Sequence, residues 1–179
     1  MISEQLPRIW TIGHSTRGID DFILLLKENK IGAIADVRMF PGSRRYPHFG
    51  RDALAKSLED AGIRYEHFPE LGGRRKASPD SKNTAWRNES FRGYADYMET
   101  EDFRKGIERL AEIAKQHGPV AVMCAEAVWW RCHRSLISDH LKARGVEVLH
   151  ILDHDKVEPH PFTSAAKIVN GELSYGELL

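Results

Sequence analysis

Short apolar runs alternate along this chain with stretches whose apolar residues recur every three or four positions. Ile9-Trp10-Thr11-Ile12 is a β-rich run that breaks at Gly13. Ile19, Phe22, Ile23 and Leu26 then fall at i, i+3, i+4 and i+7, which predicts a helix with Asp20 and Asp21 in its first turn. Ala33 to Val37 reads as a buried strand. Leu54, Leu58 and Ala61 mark a helix stopped at Gly62, and Ile63 to Phe68 a third strand. Phe91, Tyr94, Ala95 and Met98 predict one helix; Phe103, Ile107, Leu110, Ala111 and Ala114 predict a longer one ended by Pro119. Val120 to Cys124 is the clearest buried strand. A helix through Leu136, Ile137 and Leu141 follows it, and Val146 to Leu152 forms a last core strand.

Strands alternating with helices predict right-handed crossovers and an α/β fold: a three-layer αβα domain over a mainly parallel five-stranded core sheet. A partial (β/α) barrel is the alternative. The whole chain, 1–179, is read as one domain. Residues 69–88 have no period and five basic side chains, so they form a long basic loop of a kind that is usually functional or disordered. Residues 155–179 are a C-terminal extension. Within it Asn170-Gly171 suits a type I′ turn and predicts a small hairpin.

Composition narrows the classes. A length of 179 residues with 41% hydrophobic and 29% charged side chains is that of an ordinary globular domain. Lys+Arg and Asp+Glu balance at 26 each, so no global field draws the protein to nucleic acid or an anionic membrane. MISEQLPRIW has neither a basic nor an apolar stretch of the kind that begins an export signal, and the apolar runs, Phe22 to Leu26 among them, are far too short to cross a bilayer. Two cysteines without an export signal suggest free thiols and a cytoplasmic location, with no membrane partner. The oligomeric state has no signature in the sequence.

Candidate chemistry gathers where the strands end, the edge at which parallel sheets bind ligands. The first strand exits into Gly13-His14-Ser15, the second into Asp36-Val37-Arg38 and then Ser43-Arg44-Arg45, and the fourth into Cys124-Ala125-Glu126 with Cys132-His133-Arg134 beyond. Each has an ordinary reading: His14 as a loop hydrogen-bonder, Asp36 and Arg38 as a structural ion pair, Cys124 as a small buried hydrophobe, and Trp129-Trp130 as a core plug or a surface. Their joint placement predicts one cleft. There Glu126, His14, Asp36 and Cys132 are the catalytic candidates, and Arg38, Ser43, Arg134 and Ser15 would bind a small anionic, phosphate- or nucleotide-like substrate.

These motifs, together with Thr11-Ile12-Gly13-His14-Ser15, Leu71-Gly72-Gly73, Tyr94-Ala95 and Met98, resemble the domain-of-unknown-function 488 family from about residue 8 to the tail. The resemblance implies a compact α/β domain with a shared polar site and carries no assigned reaction. Ala127-Val128-Trp129-Trp130-Arg131 is apolar where many members carry a charged loop, which implies a different substrate preference.

Carboxylate and histidine acid-base or nucleophilic chemistry, as in a hydrolase or transferase, is the first functional reading, and no cofactor is required for it. Thiol chemistry at Cys132, which begins a helix beside His133 and Arg134, is an alternative. Zinc held by His14, Cys124, Cys132 and His133 is another, although the spacing contains no paired-cysteine knuckle and the leading reading assigns no metal. Nucleic acid is the alternative partner. It would be bound by the Arg-rich loops 44–51 and 74–87 with Tyr46, Phe49 and Trp86 as stacking surfaces.

Overall fold

A computed structural model describes residues 7–176, so the first six residues, which belong to the segment read for an export signal, and the last three of the extension lie outside the described residues. Five parallel strands form the middle of the protein: β1 (Arg8–Gly13), β2 (Ala33–Asp36), β3 (Arg64–His67), β4 (Val120–Cys124) and β5 (Glu147–Asp153). A sixth, β6 (Lys156–Pro159), turns back antiparallel on β5, giving the order β3-β2-β4-β1-β5-β6. The sheet is open, with β3 and β6 at its edges, so the barrel alternative is set aside.

The central strands β2 and β4 are short and buried on both faces because both faces of the sheet are covered. Helices α1 (Ile19–Glu28) and α2 (Arg51–Asp60) bury Phe22, Leu25, Leu26, Leu54 and Leu58 against Ile12, Ile34, Ala121 and Met123. Helices α3 (Glu89–Tyr97), α4 (Glu101–His117) and α5 (Arg134–Ala143) bury Tyr94, Phe103, Leu110, Leu136 and Ile137 against Ala35, Val120, Val122 and Val148 on the other face. These are the three predicted layers. Asn88 and Thr100 cap α3 and α4 by accepting the N–H of the third residue beyond each.

The basic loop is irregular after a 3-10 turn at Pro69–Leu71, yet it is tied down. Asp96 of α3 accepts bonds from Ser78 N–H (2.8 Å), Ser81 Oγ (2.5 Å) and Asn83 Nδ2 (2.7 Å). The extension carries β7 (Lys167–Val169) and β8 (Glu172–Ser174), joined through Asn170 and Gly171 at φ 54° and 79°, the two positive values a type I′ turn requires. Among the described residues no helix is long and apolar enough to cross a membrane.

Candidate active site

The C-terminal edge of the sheet opens into a cleft of about 700 Å³. His14, Ser15, Arg38, Ser43, Cys124, Glu126, Cys132 and His133 line it, with the exposed Arg45 and Arg74 at its rim. Its shape depends on Gly13. A Cβ there would stand 1.8 Å from the Glu126 carbonyl oxygen, so glycine alone lets the segment after β4 fold back over the end of β1. The ladder continues past the strand, with His14 N–H donating to Cys124 O (2.9 Å) and Ser15 N–H to Ala125 O (3.1 Å).

Asp36 and Arg38 form one wall as a fork. Oδ1 of the fully buried Asp36 accepts from Arg38 Nε (2.9 Å) and the Arg38 backbone N–H (3.1 Å); Oδ2 accepts from Arg38 Nη2 (2.7 Å) and the Tyr65 hydroxyl (2.5 Å). Burial, then the Asp36 charge, pushes the Tyr65 phenol well up. Arg38 Nη1 donates to Phe49 O (2.8 Å) and faces His14 Nε2 at 3.4 Å. His14 stacks on Phe49 with ring centroids 4.3 Å apart, and its Nδ1–H donates to Ser15 O (2.9 Å). Burial pulls the imidazole down to about 4, so at neutral pH it is uncharged and its remaining nitrogen already faces Arg38. The Asp36 carboxylate bonds Arg38, and Arg38 stands between it and His14.

The floor is different chemistry. Cys124, the last residue of β4, and Cys132, which precedes α5, are unjoined, 3% and 8% exposed, with their sulfurs 3.0 Å apart. Cys132 Sγ also accepts the Arg134 backbone N–H (3.2 Å) at the helix start and faces Arg134 Nε at 3.4 Å. The rest of the Arg134 guanidinium bonds Thr11 Oγ1 (3.1 Å) and Glu126 O (2.7 Å). It is 1% exposed and no carboxylate pairs with it among the described residues, so the sulfurs are what favour its charge. Burial alone would raise the Cys132 thiol. The bonds from Cys124 and His133 and the nearby His133 and Arg134 side chains outweigh it, and the group is held well below the ordinary thiol range. Burial and the neighbouring Cys132 push Cys124 well above it. The opposite directions of the two shifts favour Cys124 as the donor and Cys132 Sγ as the acceptor of the contact between them.

A buried hydrogen-bond chain runs from Arg134 away from the cleft. Thr11 Oγ1 meets His150 Nδ1 (2.5 Å), His150 Nε2 meets His160 Nδ1 (2.8 Å), and His160 Nε2 meets Asp139 Oδ1 (2.8 Å). One assignment satisfies every member: Arg134 N–H to Thr11, Thr11 O–H to His150, His150 N–H to His160, and His160 N–H to the Asp139 carboxylate. Burial pulls His150 down to about 2, which fits its neutral place in that chain. Asp139 also accepts from Thr163 N–H (3.0 Å), Thr163 Oγ1 (2.6 Å) and the Tyr175 hydroxyl (2.8 Å), so the extension is docked on the same network.

Of the residues singled out in the sequence, His14, Ser15, Arg38, Ser43, Glu126 and Cys132 line the cleft, while Asp36 and Arg134 lie buried beneath it. The Glu126 side chain is exposed, and its contribution to the floor is the backbone carbonyl. Ser43 Oγ accepts the Tyr46 N–H (2.9 Å) and shapes the turn. Among the described residues no three His, Cys, Asp or Glu side chains gather as a metal cluster, so the four proposed zinc ligands are not assembled as one. Of the proposed stacking surfaces, Phe49 is fully buried and Trp86 packs on Phe91 and Tyr175. Trp129 stacks on His150 at 4.6 Å while Trp130 is half-exposed, so the pair divides between plug and surface.

Sequence reasoning missed Thr11, His150, His160 and Asp139. A signal existed for the last. Ser135, Ser138 and Asp139 form a polar stripe at helical spacing beside the apolar Leu136, Ile137 and Leu141.

A family model described as "Domain of unknown function DUF488" matches residues 18–141. No curated protein and no solved structure matches the chain.

Proposed function

The chain belongs to the DUF488 family, and from that premise we propose that it is a thiol-dependent enzyme acting on a small anionic substrate, with Cys132 as nucleophile. One observation carries the reading: the buried Arg134 guanidinium has no carboxylate partner among the described residues and lies against the Cys132 sulfur. A buried charge without a counter-charge is too costly to keep. A Cys132 thiolate supplies that counter-charge, and a thiolate at a helix start in an accessible cleft is a nucleophile.

The substrate class rests on the rim. Arg45 and Arg74 reach the cleft with their charges unneutralised by any ion pair among the described residues, and the volume suits a small molecule. Arg38 contributes less than the sequence suggested, because Asp36, Phe49 and His14 take most of its donors. Carboxylate and histidine chemistry is the weaker reading, given an exposed Glu126 and a His14 that stays neutral. Nucleic-acid binding would rest mainly on charge, because Phe49 is fully buried and Trp86 packs on Phe91 and Tyr175, which leaves Tyr46 as the ring at the cleft. A cytoplasmic setting suits a thiol that must stay reduced.

Alkylation with iodoacetamide across pH, read at each cysteine by peptide mass, tests the nucleophile. Cys132 should react at pH 6 at a rate close to its rate at pH 8, while Cys124 stays slow. A Cys132 rate that climbs about tenfold per pH unit up to the ordinary thiol range would overturn it.

A further inference from the structure

Resting on that nucleophile, we propose that Cys124 and Cys132 act together as a dithiol that reduces small anionic disulfides, with Cys124 as the resolving thiol. An isolated nucleophile needs no second thiol beside it. Here the second sulfur stands 3.0 Å from the first, at the floor of the same cleft, with a hydrogen-bond geometry that already aims one sulfur at the other. A disulfide bond of about 2.0 Å is roughly 1 Å closer than the present contact. Cys132 lies before the helix, in extended backbone at φ −138° and ψ 163°, where a small side-chain rotation meets no helical constraint.

The reaction balances as two exchanges. The Cys132 thiolate attacks one sulfur of a substrate R–S–S–R′, forming Cys132–S–S–R and expelling R′S⁻ into the cleft. R′S⁻ takes the Cys124 proton and leaves as R′SH. The Cys124 thiolate attacks Cys132 Sγ, the S–S bond of the mixed disulfide breaks, and RS⁻ departs. Two electrons pass from the dithiol to the substrate, and the chain is left with a Cys124–Cys132 disulfide that a second dithiol, such as dithiothreitol, reduces.

Arg134 explains why the second exchange follows the first. While Cys132 is an anion, it occupies the guanidinium and holds the Cys124 proton in place. Once Cys132 is capped by the substrate, its charge is gone. Arg134 is then a buried cation without a partner, and the adjacent Cys124 is the group that can supply one. The cation thus passes its stabilisation from one sulfur to the other. The departing sulfur must lie opposite Cys124 for in-line attack, which directs the rest of the substrate outward to Arg45 and Arg74.

Dithiodiglycolate, a dianionic disulfide, is the probe, used on the fully reduced full-length chain. The wild-type chain should lose two hydrogens, release two equivalents of mercaptoacetate and yield a Cys124–Cys132 disulfide on peptide mapping. Cys124→Ser, or Cys124→Ala should the hydroxyl disturb the strand, should stop with one mercaptoacetate on Cys132. Arg45→Ala with Arg74→Ala should slow this probe about tenfold, as expected for losing a charge-assisted contact, and slow the neutral 2-hydroxyethyl disulfide far less. A wild-type chain that keeps the mixed disulfide as Cys124→Ser does would overturn the dithiol proposal while leaving the nucleophile intact. Equal rates for the charged and neutral disulfides in the wild type and the rim variant would overturn the anionic substrate. A Cys132 that fails to alkylate at pH 6 removes the underlying reading first.

Discussion

Arg134 is the residue on which the site turns, because one guanidinium bonds a sulfur, a hydroxyl and a carbonyl at once. Lysine keeps the charge and loses the fork, so Arg134→Lys should raise the Cys132 thiol and slow its alkylation at pH 6 by about tenfold or more, the equivalent of one charge-assisted bond. Glu126→Gln alters an exposed side chain, and the alkylation profile of Cys132 should stay as it is; a clear change would return the carboxylate to the chemistry. Gly13→Ala should be severe. The added carbon meets backbone that cannot rotate away, and a loss of about 3 kcal/mol or more, read by urea unfolding, is expected. Gly13 and the Cys132-His133-Arg134 run were legible in the sequence as a break and a motif. What Arg134 pairs with was not, since its partners come from positions 11, 126 and 132 and only the folded chain brings them together.

At the scale of elements, one buried carboxylate on α5, Asp139, accepts four bonds from the extension. Asp139→Asn would set an amide N–H against one of the donors from His160, Thr163 or Tyr175, at a cost of about 2 kcal/mol, the penalty of a buried polar group left unpaired. Hydrogen exchange should then quicken from β6 through β8 while β1, β2 and β4 stay protected. A second link joins the β5–β6 turn to α1, where His154 bonds Asp21 (2.6 Å) and Glu28 (2.8 Å). The Asp21 bond, then that of Glu28, raises this imidazole to about 9. A raised base adds stability below its unfolded value near 6.5 and loses it as pH climbs towards 9, so His154→Gln should lower Tm at pH 6 and have little effect above pH 9. The five parallel strands, the helices between them and the hairpin turn could be read from apolar period and from Asn-Gly. β6 could not: Lys156-Val157-Glu158-Pro159 is short, exposed and without alternation, and it pairs only because the turn after β5 returns it there. The docking of the extension was hidden for the same reason, since its anchors are single polar residues far apart in sequence.

The molecule as a whole should be most stable near neutral pH. His14, His140 and His150 are held neutral by burial, the first two down to about 4 and the third to about 2. Below pH 6.5 the unfolded chain takes up protons that the folded chain refuses, so stability falls with acidity. His14 and His150 each contribute roughly 1.4 kcal/mol per pH unit between 6.5 and 4. Urea midpoints at pH 7 and pH 5 measure it, and equal midpoints would contradict the burial of these rings. The order of the strands has one more effect, on how copies of the molecule meet. A sheet that stays open offers two rows of unpaired backbone groups to any neighbour. In β6 the bond from His160 N–H to Val148 O sets the alternation that turns position 159 outward, and proline there presents no donor. In β3 the outer strand carries Arg64 and Glu66, which pair with each other, and Glu66 also pairs with Arg109, so an arriving strand would have to part charges already matched. Both margins are thereby made poor templates for a strand arriving from a second copy of the chain.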